Sequence, residues 1–373
     1  MKHPYLFSRA LLVAGVGAMA SGFITQSARA DEPYKIVKMT QTMGNGGIDY
    51  VYADNDGGRL YVPRGNQVLV FDLESLSQVG SITNARAHGV AVDPQTHRGF
   101  CSSRPVVMWD TKTLETIKSI PVEGNPDGIM FEPATEKIYV LSHRAPNVTV
   151  IDPKDGSIAG TIDLGGAPEQ GASDGQGHVY IDLENKNAVA VVDAKAMKLT
   201  GTYDISDKGK GPAGLGMDVK NNILFAMCHN PAVCVVLSAT DGKILATLPI
   251  GNGTDGGGFN PATMEAFSSQ GDGTLTIIKE TSPTSFEVEQ NVNTKSRAKT
   301  CTLDTKNNHI IVITTEAAPA PPPPAAEVGG ATNPPAGGAA GAPGAGGPGG
   351  DQGGRRRGGF GGPGNLDIIA VGK

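Results

Sequence analysis

The stretch Ile138–Asp152, IYVLSHRAPNVTVID, contains two runs rich in β-branched residues on either side of a short polar turn. Such runs are typical of two β-strands joined by a hairpin loop. The second run, Val148–Asp152, has counterparts along the whole chain, at Val68–Asp72, Val106–Asp110, Val189–Asp193, Val233–Leu237, Leu275–Lys279 and Leu366–Val371. A unit of several short strands that recurs about every 40 residues is the signature of a β-propeller. The sequence therefore predicts an all-β fold, a seven-bladed β-propeller.

The strand count also predicts how the ring closes. Seven valine-rich third strands are present, but only six of them are followed by a fourth strand. The missing strand matches the β-branched run Tyr34–Met39 near the start of the chain. We therefore expect this N-terminal strand to pair with the C-terminal run Leu366–Val371 in the last blade. Closure of this kind removes an exposed sheet edge.

The first 30 residues have the pattern of a secretory signal peptide. Lys2 and Arg9 precede an apolar run, and Ala28-Arg29-Ala30 forms a small-residue cleavage site. Without residues 1–30 the chain has 28 basic and 37 acidic residues, a net charge of −9. No later run is long and apolar enough to span a membrane. We therefore expect a monomeric protein that is periplasmic or secreted. Its negative charge makes binding to nucleic acid or to an anionic membrane unfavourable.

Residues 316–365 interrupt the repeat. They are dominated by Ala, Pro and Gly, a composition that cannot bury enough apolar surface to form a core. The strand pattern resumes at residues 366–373, so we expect a disordered insertion in the last blade of a propeller that spans residues 31–315. The segment Gly353–Phe360 resembles arginine-glycine segments that bind single-stranded nucleic acid. The alternatives are that this segment is a solubilising spacer or that it is attracted to an anionic surface.

The stretch that opens this section, followed by Gly160–Pro168, resembles the repeat of the bacterial YncE-like, YVTN-type seven-bladed propellers. That repeat runs from Tyr-Val through a polar turn and Asn to a valine-rich strand ending in Asp, and then to a later Gly and Pro. The likeness covers about residues 34–315 and 366–371 and is strongest in the first three units. It implies a periplasmic or secreted propeller, while functions in this family vary. Trp109-Asp110 resembles the WD dipeptide but occurs once in seven units.

The inner strands supply the candidate binding residues. Each inner strand ends in an acidic or amide residue, and the position five residues earlier recurs as Asp49, His88, Asp127, Glu169, Ala213, Asp255 and Lys299. Sevenfold repetition predicts that these residues surround the mouth of the central channel. Clustered carboxylates recruit cations, and oxygen ligands favour Ca²⁺ or Mg²⁺ over Zn²⁺. The alternative is that they are hydrated turn residues without a ligand.

The loops between second and third strands emerge on the same face as this ring. Their basic residues predict a rim around the acidic centre, formed by Arg64, Arg104, His143, Arg144, Lys186 and His229. The alternative is a set of ordinary solvated loops.

The four cysteines show no CxxC pairing. Cys228 and Cys234 lie on neighbouring strands, so a disulfide between them and four buried thiols are both open. Motifs of serine hydrolases, P-loop proteins, dinucleotide-binding proteins and haem-attachment sites are missing from the sequence.

These patterns favour a binding or scaffold module whose channel mouth takes an unknown small ligand or protein, with Ca²⁺ as the candidate cofactor. The first alternative is a lactonase-like hydrolase, in which Glu169 or His88 acts as a base and Lys299 stabilises an oxyanion. The second is a single-stranded nucleic-acid binder.

Overall fold

The computed structural model describes residues 32–317 and 364–373. The predicted signal peptide and nearly all of the predicted insertion lie outside these residues. The described residues form seven antiparallel sheets of four strands each, which are the seven blades of a propeller. The predicted fold class is thus confirmed. Among the described residues, no helix has the length and apolar character needed to cross a membrane.

Blades 1 to 6 each use four consecutive strands, with the first strand innermost. The N-terminal strand β1, Lys35–Gly44, precedes blade 1 in the sequence and belongs to another blade. The strands of blades 1 to 3 are β2 Tyr52–Asp54, β3 Arg59–Arg64, β4 Gln67–Asp72, β5 Gln78–Thr83, β6 Val90–Asp93, β7 Arg98–Cys101, β8 Val106–Asp110, β9 Thr116–Ile120, β10 Pro126–Glu132, β11 Lys137–Ser142, β12 Val148–Asp152 and β13 Ser157–Ile162.

Blades 4 to 6 follow the same plan, and a single 3-10 turn at Glu184–Lys186 lies in blade 4. Their strands are β14 Pro168–Ser173, β15 His178–Leu183, β16 Ala188–Asp193, β17 Lys198–Asp204, β18 Lys210–Asp218, β19 Ile223–Asn230, β20 Val233–Ser238, β21 Ile244–Pro249, β22 Thr254–Asn260, β23 Glu265–Gln270, β24 Thr274–Ser282 and β25 Ser285–Asn293.

Blade 7 closes the ring with both ends of the chain. Its strands run in the order β26 (Thr300–Asp304), β27 (His309–Ala317), β28 (Gly364–Gly372) and β1. In the register of β1 on β28, Ile36 faces Val371 and Met39 faces Ile369. The predicted pairing of the N-terminal and C-terminal strands is confirmed, and the N-terminal strand extends five residues beyond its predicted end, to Gly44.

The aspartate that closes several third strands has a structural role in the turn that follows. Asp72 Oδ1 accepts a hydrogen bond of 2.8 Å from the backbone amide of Ser75, and Asp110 Oδ1 accepts one of 3.1 Å from that of Thr113. These amide bonds lower the pKa of both aspartates. The most regular residue of the repeat is therefore a turn former that connects third and fourth strands.

The hydrophobic core lies between blades. Second and third strands are buried along nearly their whole length, whereas outer strands such as β25 alternate between exposed and half-buried residues. Between blades 7 and 1, for example, Leu60 and Phe71 pack with Ile313 and Ile368. Because each blade buries apolar side chains on both faces, neighbouring blades stabilise one another and the inner strands are held at fixed positions around the channel.

The four cysteines are free thiols. Cys228 and Cys234 are fully buried on the neighbouring strands β19 and β20, and burial raises the pKa of both thiols. Of the two alternatives that the sequence left open, the structure shows free thiols, which are buried at Cys101, Cys228 and Cys234 and half-buried at Cys301.

Candidate functional site

The residues of the predicted ring lie at the start of successive inner strands. Asp127, Glu169 and Asp255 belong to β10, β14 and β22, while Asp49, His88 and Lys299 lie in the turns that enter β2, β6 and β26. Ala213 occupies the same level in β18 and is buried. The propeller therefore places all seven positions around one end of the channel, which we call the ring face.

Five ionisable side chains at the ring face form a continuous chain of alternating acid and imidazole. The links begin at Asp49, whose Oδ2 lies 2.7 Å from His88 Nδ1. The same nitrogen is 3.3 Å from Asp127 Oδ1. Asp127 Oδ2 is 2.9 Å from His143 Nε2, which in turn lies 3.1 Å from Glu169 Oε1. Four blades thus contribute to one connected cluster, which we call the acid–imidazole chain.

His143 belongs to this chain rather than to the predicted basic rim. It follows β11, in the loop between the second and third strands of blade 3, and its ring reaches inward between Asp127 and Glu169. Its side chain is 17% exposed. Burial disfavours its charge, but hydrogen bonds to the two carboxylates outweigh burial and raise the pKa of His143 to about 10.

Tyr50 is a further member of the site that sequence reasoning missed. Its hydroxyl donates a hydrogen bond of 3.0 Å to Glu169 Oε2. Burial, followed by the negative charge of Glu169 and the other ring carboxylates, raises the pKa of Tyr50 well above its usual value. Tyr50 directly follows a ring position in the sequence, which is the only signal that could have identified it.

The carboxyl group of Glu169 has a raised pKa. Burial raises its pKa, the hydrogen bond with His143 lowers it, and repulsion from Asp127 raises it again, with a net value of about 7. The carboxyl group can therefore exchange a proton near neutral pH.

Asp255 and Lys299 form a separate ion pair on the other side of the ring. Burial opposes the charge on Lys299, but the Asp255 carboxylate raises the pKa of the ammonium group overall. Burial raises the pKa of Asp255, and the neighbouring ammonium group offsets part of that effect. Lys299 therefore contacts one carboxylate, Asp255, and acts on Asp49 and Glu169 of the acid–imidazole chain only at longer range.

The channel beneath the ring face is largely apolar. A cavity of about 540 Å³ is lined in part by Glu169 and Tyr50 and deeper by the side chains of Tyr52, Ile129, Phe131, Met217, Phe259 and Leu303. Gln170 crosses part of it, because its Nε2 donates to Gly257 O at 2.8 Å and its Oε1 accepts from the amide of Leu215 at 3.3 Å. Inner strands approach closely here: a Cβ added to Gly214 would lie 2.8 Å from the backbone of Gly256.

The predicted basic rim is only partly present. Arg104, Arg144 and Lys186 are exposed, and His229 is half-buried. Arg64 is 2% exposed, so it does not belong to an exposed rim. Its guanidinium group instead donates to the carbonyl oxygens of Thr42 (2.9 Å) and Gly364 (2.7 Å), where β1 and β28 come together.

Comparison with known proteins supports the propeller fold and identifies no family. No family model matches this chain, and no curated protein matches its sequence. Among solved structures, the WD40 repeats of RRP9 superpose with a TM-score of 0.64 at 10% identity, covering 75% of this chain and 91% of that one. A chain of a Mitotic Checkpoint Complex gives a TM-score of 0.64 at 12% identity, covering 82% and 96%. At such low identity the likeness shows the propeller fold alone.

Proposed function

We propose that this protein is a propeller binding module that takes a cation, or a ligand with a cationic group, at the mouth of its central channel. The observation that carries the proposal is the acid–imidazole chain, in which Asp49, Asp127 and Glu169 are held together by two histidines. β-Propellers commonly present such a face for binding, since the loops of every blade converge there.

Electrostatics favours a cationic partner. The negative charges of Asp49, Asp127, Glu169 and Asp255 all act on the hydroxyl of Tyr50, so the four carboxyl groups surround one small volume. Lys299 balances Asp255. A cation that enters the site relieves the remaining repulsion and makes stronger contacts than it would with exposed carboxylates, because Asp127 and Glu169 are buried.

Thermal melting in the presence of chelator, Ca²⁺, Mg²⁺, Mn²⁺ or Zn²⁺ tests the proposal. A bound cation raises stability through mass action, by about 2.7 kcal/mol at a concentration 100 times its dissociation constant. We expect this rise in the intact protein and its loss in the double variant Asp127→Asn/Asp255→Asn. The matched control is Glu74→Gln/Glu115→Gln, which neutralises two exposed carboxylates outside the ring.

Without any cation, the ring variant is expected to be less stable than the intact protein, because Lys299 loses its ion-pair partner and His143 loses one of its two carboxylates. The cation-dependent rise, measured for each protein against its own value in chelator, is therefore the quantity compared. A melting temperature that is the same in chelator and in every cation would contradict cation binding. Small organic amines, tested in the same assay, distinguish a cationic ligand from a metal ion.

The proposal also covers the cellular location of the protein and its family relationship. The N-terminal sequence supports secretion or a periplasmic location, and the repeat pattern supports kinship with the YncE-like propellers. Comparison of the mature N-terminus and of cell fractions by mass spectrometry tests the location, with cleavage after Ala30 as the expected result.

A hydrolase is the second candidate, and one observation favours it. The pKa of about 7 suits Glu169 for proton transfer at neutral pH, and the apolar cavity beside it can hold a small substrate. In this alternative Lys299 is not the free, oxyanion-stabilising lysine that the sequence predicted, because its ammonium group is paired with Asp255. Turnover of a panel of lactones that disappears in Glu169→Gln would support it.

A further inference from the structure

Asp127 is the centre of two overlapping sets of ligand atoms. Its Oδ1 faces His88 Nδ1 at 3.3 Å, and its Oδ2 faces His143 Nε2 at 2.9 Å. Each imidazole nitrogen also faces a second carboxylate, Asp49 for His88 and Glu169 for His143. Each set therefore offers one nitrogen and two carboxylate oxygens, and the three atoms of each set lie within 4.8 Å of one another.

The spacing of these atoms suits a metal ion. Protein nitrogen and oxygen ligands lie about 2.0–2.2 Å from Zn²⁺ in tetrahedral sites, so two such ligands are about 3.3–3.6 Å apart. The contacts between His143 and its carboxylates, 2.9 and 3.1 Å, are a little shorter, so a small outward movement of these side chains makes room for an ion. Imidazole nitrogen suits transition metals, whereas Ca²⁺ takes oxygen ligands. The inward position of His143 therefore changes the expected metal from Ca²⁺ to a transition metal.

We propose that the ring face binds two divalent transition-metal ions side by side, with the Asp127 carboxylate bridging them. One ion takes Asp49 and His88 as its other protein ligands. The second takes Glu169 and the neutral form of His143, whose Nε2 releases its proton to solvent when the metal ion takes the proton's place between the carboxylates. In proteins with two-metal sites the ions lie about 3.5–4 Å apart. This inference rests on the proposed cation-binding function and specifies the number and class of the ions.

The surroundings of the two sets support the same assignment. Tyr50 donates to Glu169 Oε2 at 3.0 Å, which fixes the carboxylate in the way that second-sphere hydrogen bonds orient metal ligands. The side chains of His88 and Asp49 are 34% and 27% exposed, so ions can enter from solvent.

Metal stoichiometry is the decisive measurement. The full chain is dialysed against chelator, then equilibrated with Mn²⁺ or Zn²⁺, and the bound metal is counted by elemental analysis. We expect two ions per chain. His88→Gln and His143→Gln are each expected to retain one ion, and Asp127→Asn to weaken binding of both at least tenfold. His229→Gln is the control and is expected to retain two; His229 lies near the end of the second strand of blade 5, two blades away from His143.

Electron paramagnetic resonance of the Mn²⁺-loaded protein gives an independent readout. Two ions that share a carboxylate are expected to show an exchange-coupled spectrum. Either single histidine variant is expected to show the spectrum of an isolated Mn²⁺ ion instead. Circular dichroism of each variant confirms folding before the metal is counted.

The outcomes separate this inference from the proposed function. One ion per chain, or two ions without magnetic coupling, overturns the bridged pair and leaves cation binding intact. If Ca²⁺ is the only ion that binds, and the Asp127→Asn/Asp255→Asn variant loses it, the bridged pair is likewise overturned and cation binding stands. Failure of every cation to bind or to stabilise the protein overturns both proposals.

Discussion

Two arginines with similar places in the sequence have different environments in the structure. Arg64 and Arg104 both lie where a second strand leads toward a third. Arg104 is exposed and donates one hydrogen bond, to the carbonyl of Gly124. Arg64 is buried and bonds two carbonyl groups at the junction of β1 and β28. The surrounding blades, and not the residue type, decide which arginine stabilises the fold.

The variant Arg64→Ala is expected to lower the free energy of unfolding by about 2–4 kcal/mol, because it removes two hydrogen bonds from a charged donor, one of them to the buried carbonyl group of Gly364. Arg104→Ala is expected to change it by less than about 0.5 kcal/mol, as is usual for exposed positions. Urea denaturation measures both. Equal effects of the two substitutions would show that burial of Arg64 has no energetic consequence.

Asp182 predicts a pH dependence of stability. Burial raises its pKa well above the usual value. A carboxyl group whose pKa is raised by folding contributes its full stability below the unfolded pKa of about 3.9 and loses it progressively as pH rises toward the folded pKa. The variant Asp182→Asn cannot ionise, so we expect it to be more stable than the intact protein at pH 8 and similar to it near pH 4.

Urea denaturation at both pH values tests this expectation, with the exposed Asp207→Asn as the control. A variant that is less stable than the intact protein at pH 8 would show that the Asp182 carboxylate has a stabilising partner.

At the scale of elements, β27 and β28 form a hairpin whose ends lie side by side. Ala317 faces Gly364 in the register of the two strands, although the sequence between them is long. The outer strand β1 then pairs along nearly all of β28. The strand pairing of blade 7 is therefore complete in the described residues on both sides of the Ala/Pro/Gly-rich segment, which suggests a direct test of what that segment contributes.

Replacement of residues 318–363 by Asn-Gly is expected to keep the fold, since these two residues form the turn that joins antiparallel strands. Stability is expected to stay equal or to rise by up to about 2.7 kcal/mol, because each halving of loop length recovers about 0.6 kcal/mol. Calorimetry checks the result against a variant with a Gly/Ser linker of the original length. Loss of the cooperative transition in the short variant would show that residues 318–363 pack on the propeller.

At the scale of the whole molecule, both ends of the chain secure the ring. Tyr34 is buried between blades 6 and 7, where its hydroxyl donates to the Glu265 carboxylate. Lys373 Nζ lies 2.9 Å from the same carboxylate and 3.2 Å from Glu289. Burial raises the pKa of Glu265, but hydrogen bonds with Thr263, Tyr34 and Lys373 outweigh it and hold the pKa at about 2. Closure therefore combines strand pairing with a charged contact to the preceding blade.

A chain that begins at residue 45 lacks β1 and Tyr34 and is expected to aggregate, because β28 then becomes an exposed edge strand. A chain that begins at residue 31 is the control and is expected to remain a dispersed, cooperatively folded protein. Light scattering coupled to size-exclusion chromatography, together with thermal melting, compares the two. Identical melting of both chains would contradict closure by the N-terminal strand.

The sequence by itself determined the architecture, because a repeated unit specifies it many times over. Each unit carries the same strand and turn chemistry, so the number of blades and the missing fourth strand could be read from Val148–Asp152 and its counterparts. The level of the ring followed for the same reason: equivalent positions of equivalent strands meet at one end of the channel, as Asp127 and Glu169 do.

Only the tertiary structure decided which side chains meet at that level. The inward direction of His143, the burial of Arg64 and the contact of Tyr50 with Glu169 depend on loops and neighbouring blades that differ between units. Repetition fixes the backbone position of a residue, since every blade must pack on the next. The direction of a polar side chain is set by the charges and space around it, which are contributed by residues from several other blades.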